Sequence, residues 1–286
     1  MSLKVPKKIA ALHDIAGFGR SSLTVVIPVM SAMGHQTCPV PTAVLSTITG
    51  FYEDYAMLDL SELMPEYLKH WEKENLKFDC IYSGFLGSAS QAEITSEFID
   101  RLKTPLNVVD PVFADDGKLY ACFDLSIVSA MKKLSEKADI ITPNATEVYM
   151  MLGESAPPED EKEAVKKAKS LSKIGPSYII ITSVPDGEGN ICVVVYDKIK
   201  DTAYKISNPY IHHAHYPGTG DLFTSVLTGH MLNGHSVAES ASKAADFVFM
   251  SVKTACTNGV PVREGIPLEL MLPRLLEDHG LKITEI

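Results

Sequence analysis

Short, wholly apolar runs alternate along the chain with segments whose apolar residues recur every three or four positions. The first pattern marks strands buried on both faces; the second marks helices with one apolar stripe. Strands are therefore expected at 9–12, 78–82, 106–109, 140–141, 178–182 and 191–196. Helices are expected at 20–33, around 60–71, around 94–102, and at 126–137, 161–173, 221–233, 236–256 and 268–277. Ser21 and Ser22 are candidate caps for the first helix, and Pro28 should kink it. Residues 185–190 are rich in Gly and Asp and join two strands, which is a hairpin pattern. Residues 114–120 and 207–216 read as the longest irregular stretches. Alternating strands and helices imply an α/β architecture with a mostly parallel central sheet, in a single domain over 1–286. Ligands of such sheets bind beyond the carboxyl ends of the strands, so residues directly after strands carry the most functional information.

Composition narrows the partners. Of the 286 residues, 45% are hydrophobic and 22% charged, which suits a globular chain. The formal net charge of -10 argues against a nucleic-acid partner, and any phosphate site must rest on local backbone donors. Five scattered cysteines, none in C-x-x-C spacing, suggest neither a disulfide framework nor a zinc site and point to a reducing, cytoplasmic setting. No apolar run approaches the ~20 residues that span a bilayer, and the polar, basic start does not read as a signal peptide.

Four segments carry candidate chemistry. Gly218-Thr219-Gly220-Asp221 opens an apolar helix. Its glycines let the backbone approach a ligand, and the helix N-terminus offers free N–H groups and a positive dipole end to an anion. Asp221 in that turn can take a proton from an attacking hydroxyl. The plain alternative is a turn with an N-cap. Asp110-Pro111 directly follows a strand, which suits a carboxylate facing polyphosphate and Mg²⁺; a strand-ending turn has the same look. Thr142-Pro143-Asn144-Ala145-Thr146-Glu147 also follows a strand. Asn144 and Glu147 are spaced as a capping box, and Glu147 is equally placed to hold water on Mg²⁺. Gly17-Phe18-Gly19 invites a dinucleotide-binding reading, but Ser22 holds the third glycine position and no acidic residue lies within 34–48. His212, His213 and His215 are a conceivable metal cluster, more simply a loop near a nucleotide. Residues 247–250 read as core.

Together, Gly218-Thr219-Gly220-Asp221, Asp110-Pro111-Val112 and Thr142-Pro143-Asn144 with Glu147 resemble the ribokinase-like superfamily in order and spacing. Ser83-Gly84-Phe85-Leu86-Gly87-Ser88 makes the chain look most like pyridoxal kinases. The resemblance runs over residues 9–253. It implies a three-layer α/β/α fold, ATP as donor with Mg²⁺ and potentially K⁺ as cofactors, and the 5′-hydroxymethyl group of pyridoxal, pyridoxine or pyridoxamine as acceptor. A homodimer is the assembly expected. By motif, Asp221 is the base, with Gly218, Thr219 and Gly220 as the anion hole. Asp110, Thr142, Asn144 and Glu147 face phosphates and metal, Asp110 and Glu147 being the metal residues. Thr182 and Ser183 face the nucleotide, while Thr49, Gly50, Ser83 and Tyr120 face the acceptor. One departure stands out: pyridoxal kinases commonly end the first strand Gln-Ser-His, whereas this chain has Leu12-His13-Asp14. Asp14 then takes the place of the substrate-contacting Ser, favouring a cationic pyridinium or amine. Hydroxymethylpyrimidine kinases share the Gly-rich first loop but typically carry Cys where this chain has Asp221. A non-catalytic nucleotide- or pyridoxal phosphate-binding regulator is a third possibility, against which Asp221 and Glu147 argue.

Overall fold

The first strand supplies both sides of the molecule: Ile9 and Ala11 enter one apolar core, Ala10 and Leu12 the other. Side chains alternate across a strand, so a segment apolar at every position needs a covered sheet on both faces. The computed structural model describes residues 5–187, 189–212, 214–277 and 280–286. The chain runs β1 (Lys8–Ala16), α1 (Leu23–Ala32), β2 (Gln36–Leu45), β3 (Met57–Asp59), α2 (Met64–Lys73), β4 (Cys80–Ser83), α3 (Ala89–Leu102) and β5 (Asn107–Val109). A two-stranded ribbon follows, β6 (Ala114–Asp115) and β7 (Lys118–Leu119). Then come α4 (Ser126–Ser135), β8 (Ile140–Ile141), α5 (Ala145–Leu152), α6 (Glu161–Ser172), β9 (Tyr178–Pro185), β10 (Asn190–Asp197), β11 (Thr202–Pro209), α7 (Thr219–Leu232), α8 (Val237–Thr257), α9 (Leu268–Met271) and β12 (Thr284–Glu285).

Ten strands form one sheet in the order β12-β11-β10-β9-β8-β5-β4-β1-β2-β3. The middle of the sheet, β9 through β2, is parallel, and both flanks are antiparallel. Residues of α1, α7 and α8 fill the core on one face, and residues of α2 to α6 fill the other. This is the three-layer α/β/α arrangement that the alternating pattern implied, including the β9–β10 hairpin.

The differences have local causes. β2 was not among the expected strands; it contains Pro39 and Pro41, and proline is rare within paired strands. Gln36 donates its N–H to Lys7 on the β1 side. Residues 39 and 41 have the opposite parity, so their missing N–H groups face away from β1. There β3 pairs only with residues 43–45, and no ladder bond is lost. The β6–β7 ribbon falls in the 114–120 stretch read as irregular, whereas β11 was not assigned at all and only its last residues, 207–209, reach the 207–216 stretch; Thr202, Lys205, Ser207 and Asn208 make it polar, which hid it. The first helix starts at Leu23, not at 20, and the last stops at Met271 instead of 277, because Pro273 lacks the N–H that would continue it.

Candidate active site

The carboxyl ends of β1, β4, β5 and β8 meet the start of α7. Gly218 caps this helix with φ 79°. A Cβ there would lie 2.2 Å from the Arg20 carbonyl oxygen, so both conformation and space select glycine. Leu222 makes the first intrahelical bond, to Gly218 O at 2.9 Å. The amides of Thr219, Gly220 and Asp221 are thereby left without intrahelical acceptors. Asp221 does not cap its own helix. Its Oδ2 instead accepts the backbone N–H of Ser22 at 2.8 Å, which ties the Gly17–Ser22 loop to α7. The Tyr82 hydroxyl donates to the Asp221 carbonyl at 3.4 Å. Asp221 Oδ1 has no hydrogen-bond partner and lies 3.8 Å from His13 Nδ1.

Four carboxyl groups converge here, all buried. Burial pushes Asp221 up from 3.8 to about 6, offset in part by the Ser22 amide. Burial also raises Asp14 to about 7; a Ser22 hydrogen bond lowers it and the Asp221 charge raises it further. Asp110 is held well above the carboxylate range, first by burial and then by the Glu147 and Asp221 charges. Glu147 rises to about 7 through burial. Among the described residues, no lysine or arginine pairs with any of the four. Buried like charges of this kind invite a cation or a protonated ligand.

The Asp110 carboxylate sits beside Gly220, where an added Cβ would be 3.7 Å from Oδ2. Thr224 Oγ1, one turn beyond Asp221, is 3.1 Å from Asp110 Oδ2 and 3.0 Å from Thr142 Oγ1. Thr142 and Asp110 are thus brought to the same turn of α7. Glu147 completes the capping box with Asn144. Both its oxygens are engaged: Oε2 accepts from Asn144 N at 2.9 Å, and Oε1 from Phe113 N at 2.9 Å and Ala114 N at 3.4 Å. The capping function of this pair is therefore real, and Glu147 has no oxygen free of the backbone. Asn144 Nδ2 donates to Ala114 O at 2.7 Å, and Gly117 N donates to Thr146 Oγ1 at 3.0 Å, so α5 anchors the β6–β7 ribbon. Tyr120 follows that ribbon. Burial, then the Glu147 and neighbouring aspartate charges, keep its phenol protonated.

The remaining candidates sit around this centre. Ser83 ends β4, fully buried, its hydroxyl without a partner. Thr182 bridges Asn144 and donates its N–H to Pro143 O at 3.0 Å. Ser183 is exposed with φ 61°, where the β9–β10 register shifts. Thr49 and Gly50 lie on the β2–β3 loop, which joins the Gly17–Ser22 loop through Ile48 N to Phe18 O at 3.1 Å; no hydrogen bond links them to the carboxylate cluster. Of the histidine cluster, His213 lies outside the described residues. Among the described residues no three or more His, Cys, Asp or Glu side chains converge on a metal position. A cation held by one carboxylate and otherwise by water and ligand oxygens still fits: Asp110 offers an oxygen beside the α7 turn, and Glu147 would reach the ion only through water.

Sequence patterns marked Ser22 only as a helix cap and His13 only as part of the departure at the first strand's end, not as partners of Asp221, and they did not mark Tyr82. Thr224 was not marked either, although it lies three positions after Asp221 on the same helix face.

Residues 24–265 match the family model described as phosphomethylpyrimidine kinase. A Bacteroides thetaiotaomicron protein, provisionally described as a phosphomethylpyrimidine kinase, is 42% identical with TM-score 0.95, covering 100% of both chains. A crystal form of that protein with pyridoxal gives TM-score 0.94, covering 99% of this chain and 100% of that one. Pyridoxal kinase from Lactobacillus plantarum is 29% identical with TM-score 0.87, covering 94% of this chain and 96% of its own. The hydroxymethylpyrimidine/phosphomethylpyrimidine kinase of Bacillus subtilis is 29% identical over 181 residues, 63% of this chain and 65% of that protein.

Proposed function

This chain belongs to the phosphomethylpyrimidine kinase family, a group of kinases with the ribokinase-like fold, and on that premise we propose that it moves the γ-phosphoryl group of ATP onto the hydroxymethyl group of pyridoxal or a related vitamer. The observation that carries this reading is Asp221, buried at the start of α7 with one oxygen held by the Ser22 amide and the other unpartnered, beside three open backbone amides. A carboxyl near 6 is mostly ionised at neutral pH yet basic enough to take the hydroxyl proton as the O–P bond forms. The amides of Thr219, Gly220 and Asp221 receive the charge that grows on the transferring group, at the positive end of the α7 dipole. Mg²⁺, when bound, would neutralise phosphate charge; Asp110 would hold it directly and Glu147 through water. Thr142 and Asn144 line the phosphate side, and Thr182 and Ser183 the nucleotide side.

Asp14 is the acceptor-side group we assign to the ring. At about 7 it is balanced between ionised and neutral forms, so it suits a pyridinium or amine that shares its proton. Ser83, with an unpartnered buried hydroxyl, and Tyr120, Thr49 and Gly50 at the rim complete that side. The 42%-identical relative with pyridoxal supports the vitamer, and the Bacillus relative keeps a hydroxymethylpyrimidine as the second reading. The test is ATP consumption with pyridoxal, pyridoxine, pyridoxamine and hydroxymethylpyrimidine in parallel. The proposal expects the highest kcat/KM on a B6 vitamer. Preference for hydroxymethylpyrimidine would move the assignment to the second reading, and ATP turnover with none of the four would overturn both.

A further inference from the structure

His13 is the one group at this centre with no role so far. It is fully buried, and among the described residues neither ring nitrogen has a partner at good hydrogen-bond geometry; the Tyr82 backbone is the one polar contact that acts on it. A buried polar group left unsatisfied costs about 1–3 kcal/mol, so its retention calls for a cause. The ring is tightly held. Its centroid lies 4.4 Å from that of Tyr82, edge to face at 82°. On another side it meets Gly84, where an added Cβ would come within 2.3 Å of Nδ1. Only glycine at 84 leaves room for the imidazole in this position. Burial also pushes its pKa down to about 3, so the ring is neutral and carries one N–H and one lone pair.

Nδ1 lies 3.8 Å from Asp221 Oδ1, the oxygen that nothing else among the described residues engages. That gap is beyond hydrogen-bond length, so a bond would form only if the carboxylate turned towards the ring. We propose that His13 is a positioning residue, whose Nδ1–H becomes the third anchor of Asp221 after the Ser22 amide and the Tyr82 hydroxyl, and aims the carboxylate at the acceptor hydroxyl. His13 does not itself touch the reacting atoms, since it has no exposed surface. This rests on the assignment of Asp221 as the base. It also gives a reason for the departure at the end of the first strand: Leu12-His13-Asp14 places an anchor for the base and a ring partner side by side, where the β1 register shifts.

The experiment is a double-mutant cycle on the full chain, with the best acceptor of the panel and saturating ATP. His13→Phe fills the space but removes the N–H. It should lower kcat on the order of 10–100-fold, as expected for a misplaced catalytic group, and leave the KM for ATP unchanged. His13→Asn puts an amide N–H where Nδ1 stands and should restore most of the loss. In the Asp221→Asn background, His13→Phe should cause no further loss, because the group it aims is gone. An equal loss in both backgrounds, or no rescue by Asn, overturns the positioning role while leaving Asp221 as the base. Near-normal turnover of Asp221→Asn alone overturns the base and the proposal with it. If His13→Phe does not fold, His13→Gln carries the cycle: its amide reaches the Nε2 position instead, so the same loss is expected.

Discussion

Replacing Asp221 with asparagine should make the protein more stable and nearly inactive at once. The carboxyl is displaced from 3.8 to about 6 by burial. At about 1.4 kcal/mol per pH unit, holding it ionised in the fold costs about 3 kcal/mol above neutral pH. The folded protein binds that proton more tightly than the unfolded chain. Asp221 therefore stabilises the fold fully below the unfolded value near 3.8, and this contribution is lost as pH rises through about 6. Asparagine keeps an acceptor for the Ser22 amide, and the charge-assisted part of that bond is already contained in the displaced value. The net gain at pH 8 is then about 3 kcal/mol, or roughly 5 °C in Tm for a chain of this size. At pH 4 the gain should vanish. Meanwhile kcat should fall by roughly 10²–10⁴, the usual contribution of a positioned base. The assays are thermal melts of both proteins from pH 4 to 8 without nucleotide, and steady-state kinetics at pH 8. A variant that melts lower than the parent at pH 8, or at a pH-independent offset, would refute the electrostatic account. Full activity would refute the catalytic one.

Two further substitutions test the frame around that carboxylate. Gly218→Ala must adopt φ 79° and push against the Arg20 carbonyl, so it should cost at least about 1–2 kcal/mol in melts and lower kcat by displacing the α7 turn; an unchanged Tm would show that the loop yields freely. Glu147→Gln turns an NH₂ group towards a backbone amide that now donates to a carboxylate; it should lose roughly 1–2 kcal/mol of stability and raise the Mg²⁺ concentration needed for half-maximal rate, whereas an unchanged metal titration would restrict Glu147 to its capping role.

What the sequence made legible follows from how local each signal is. Asp221 and Asp110 stood out because Gly218, Gly220 and Pro111 punctuate the backbone beside them. The Asn144–Glu147 box is written within four residues, and the structure has it as spaced. β1, β5 and β8 were visible because burial on both faces leaves runs such as 9–12, 108–109 and 140–141 wholly apolar. β2 was hidden because its prolines mark breaks only if both edges are paired, and that is a property of the finished sheet. The parts that His13, Ser22 and Thr224 play at the site were hidden for the same reason: each acts on a residue more than 80 positions away, and nothing near it in the chain says so. The expected 268–277 helix failed on a local signal, Pro273, that was outweighed by the apolar spacing around it.

The bond between Ser22 and Asp221 spans 199 residues of chain, and it bears on how the molecule is assembled as much as on what it does. Synthesis delivers β1 and its loop early, but their partner arrives only with the last third of the polypeptide. Closing so long a loop is entropically costly, and contacts of such separation slow folding. A nascent chain can pair β1 with β2 and β4 long before α7 emerges, and in that interval α7 and α8 are missing from the face that α1 alone then covers. The strands there expose Ile9, Ala11 and Tyr82 to any passing apolar surface. The period of greatest aggregation risk is therefore also the period before the carboxylate cluster around Asp221 exists, and a chaperone that shields that one face until α7 docks would protect both.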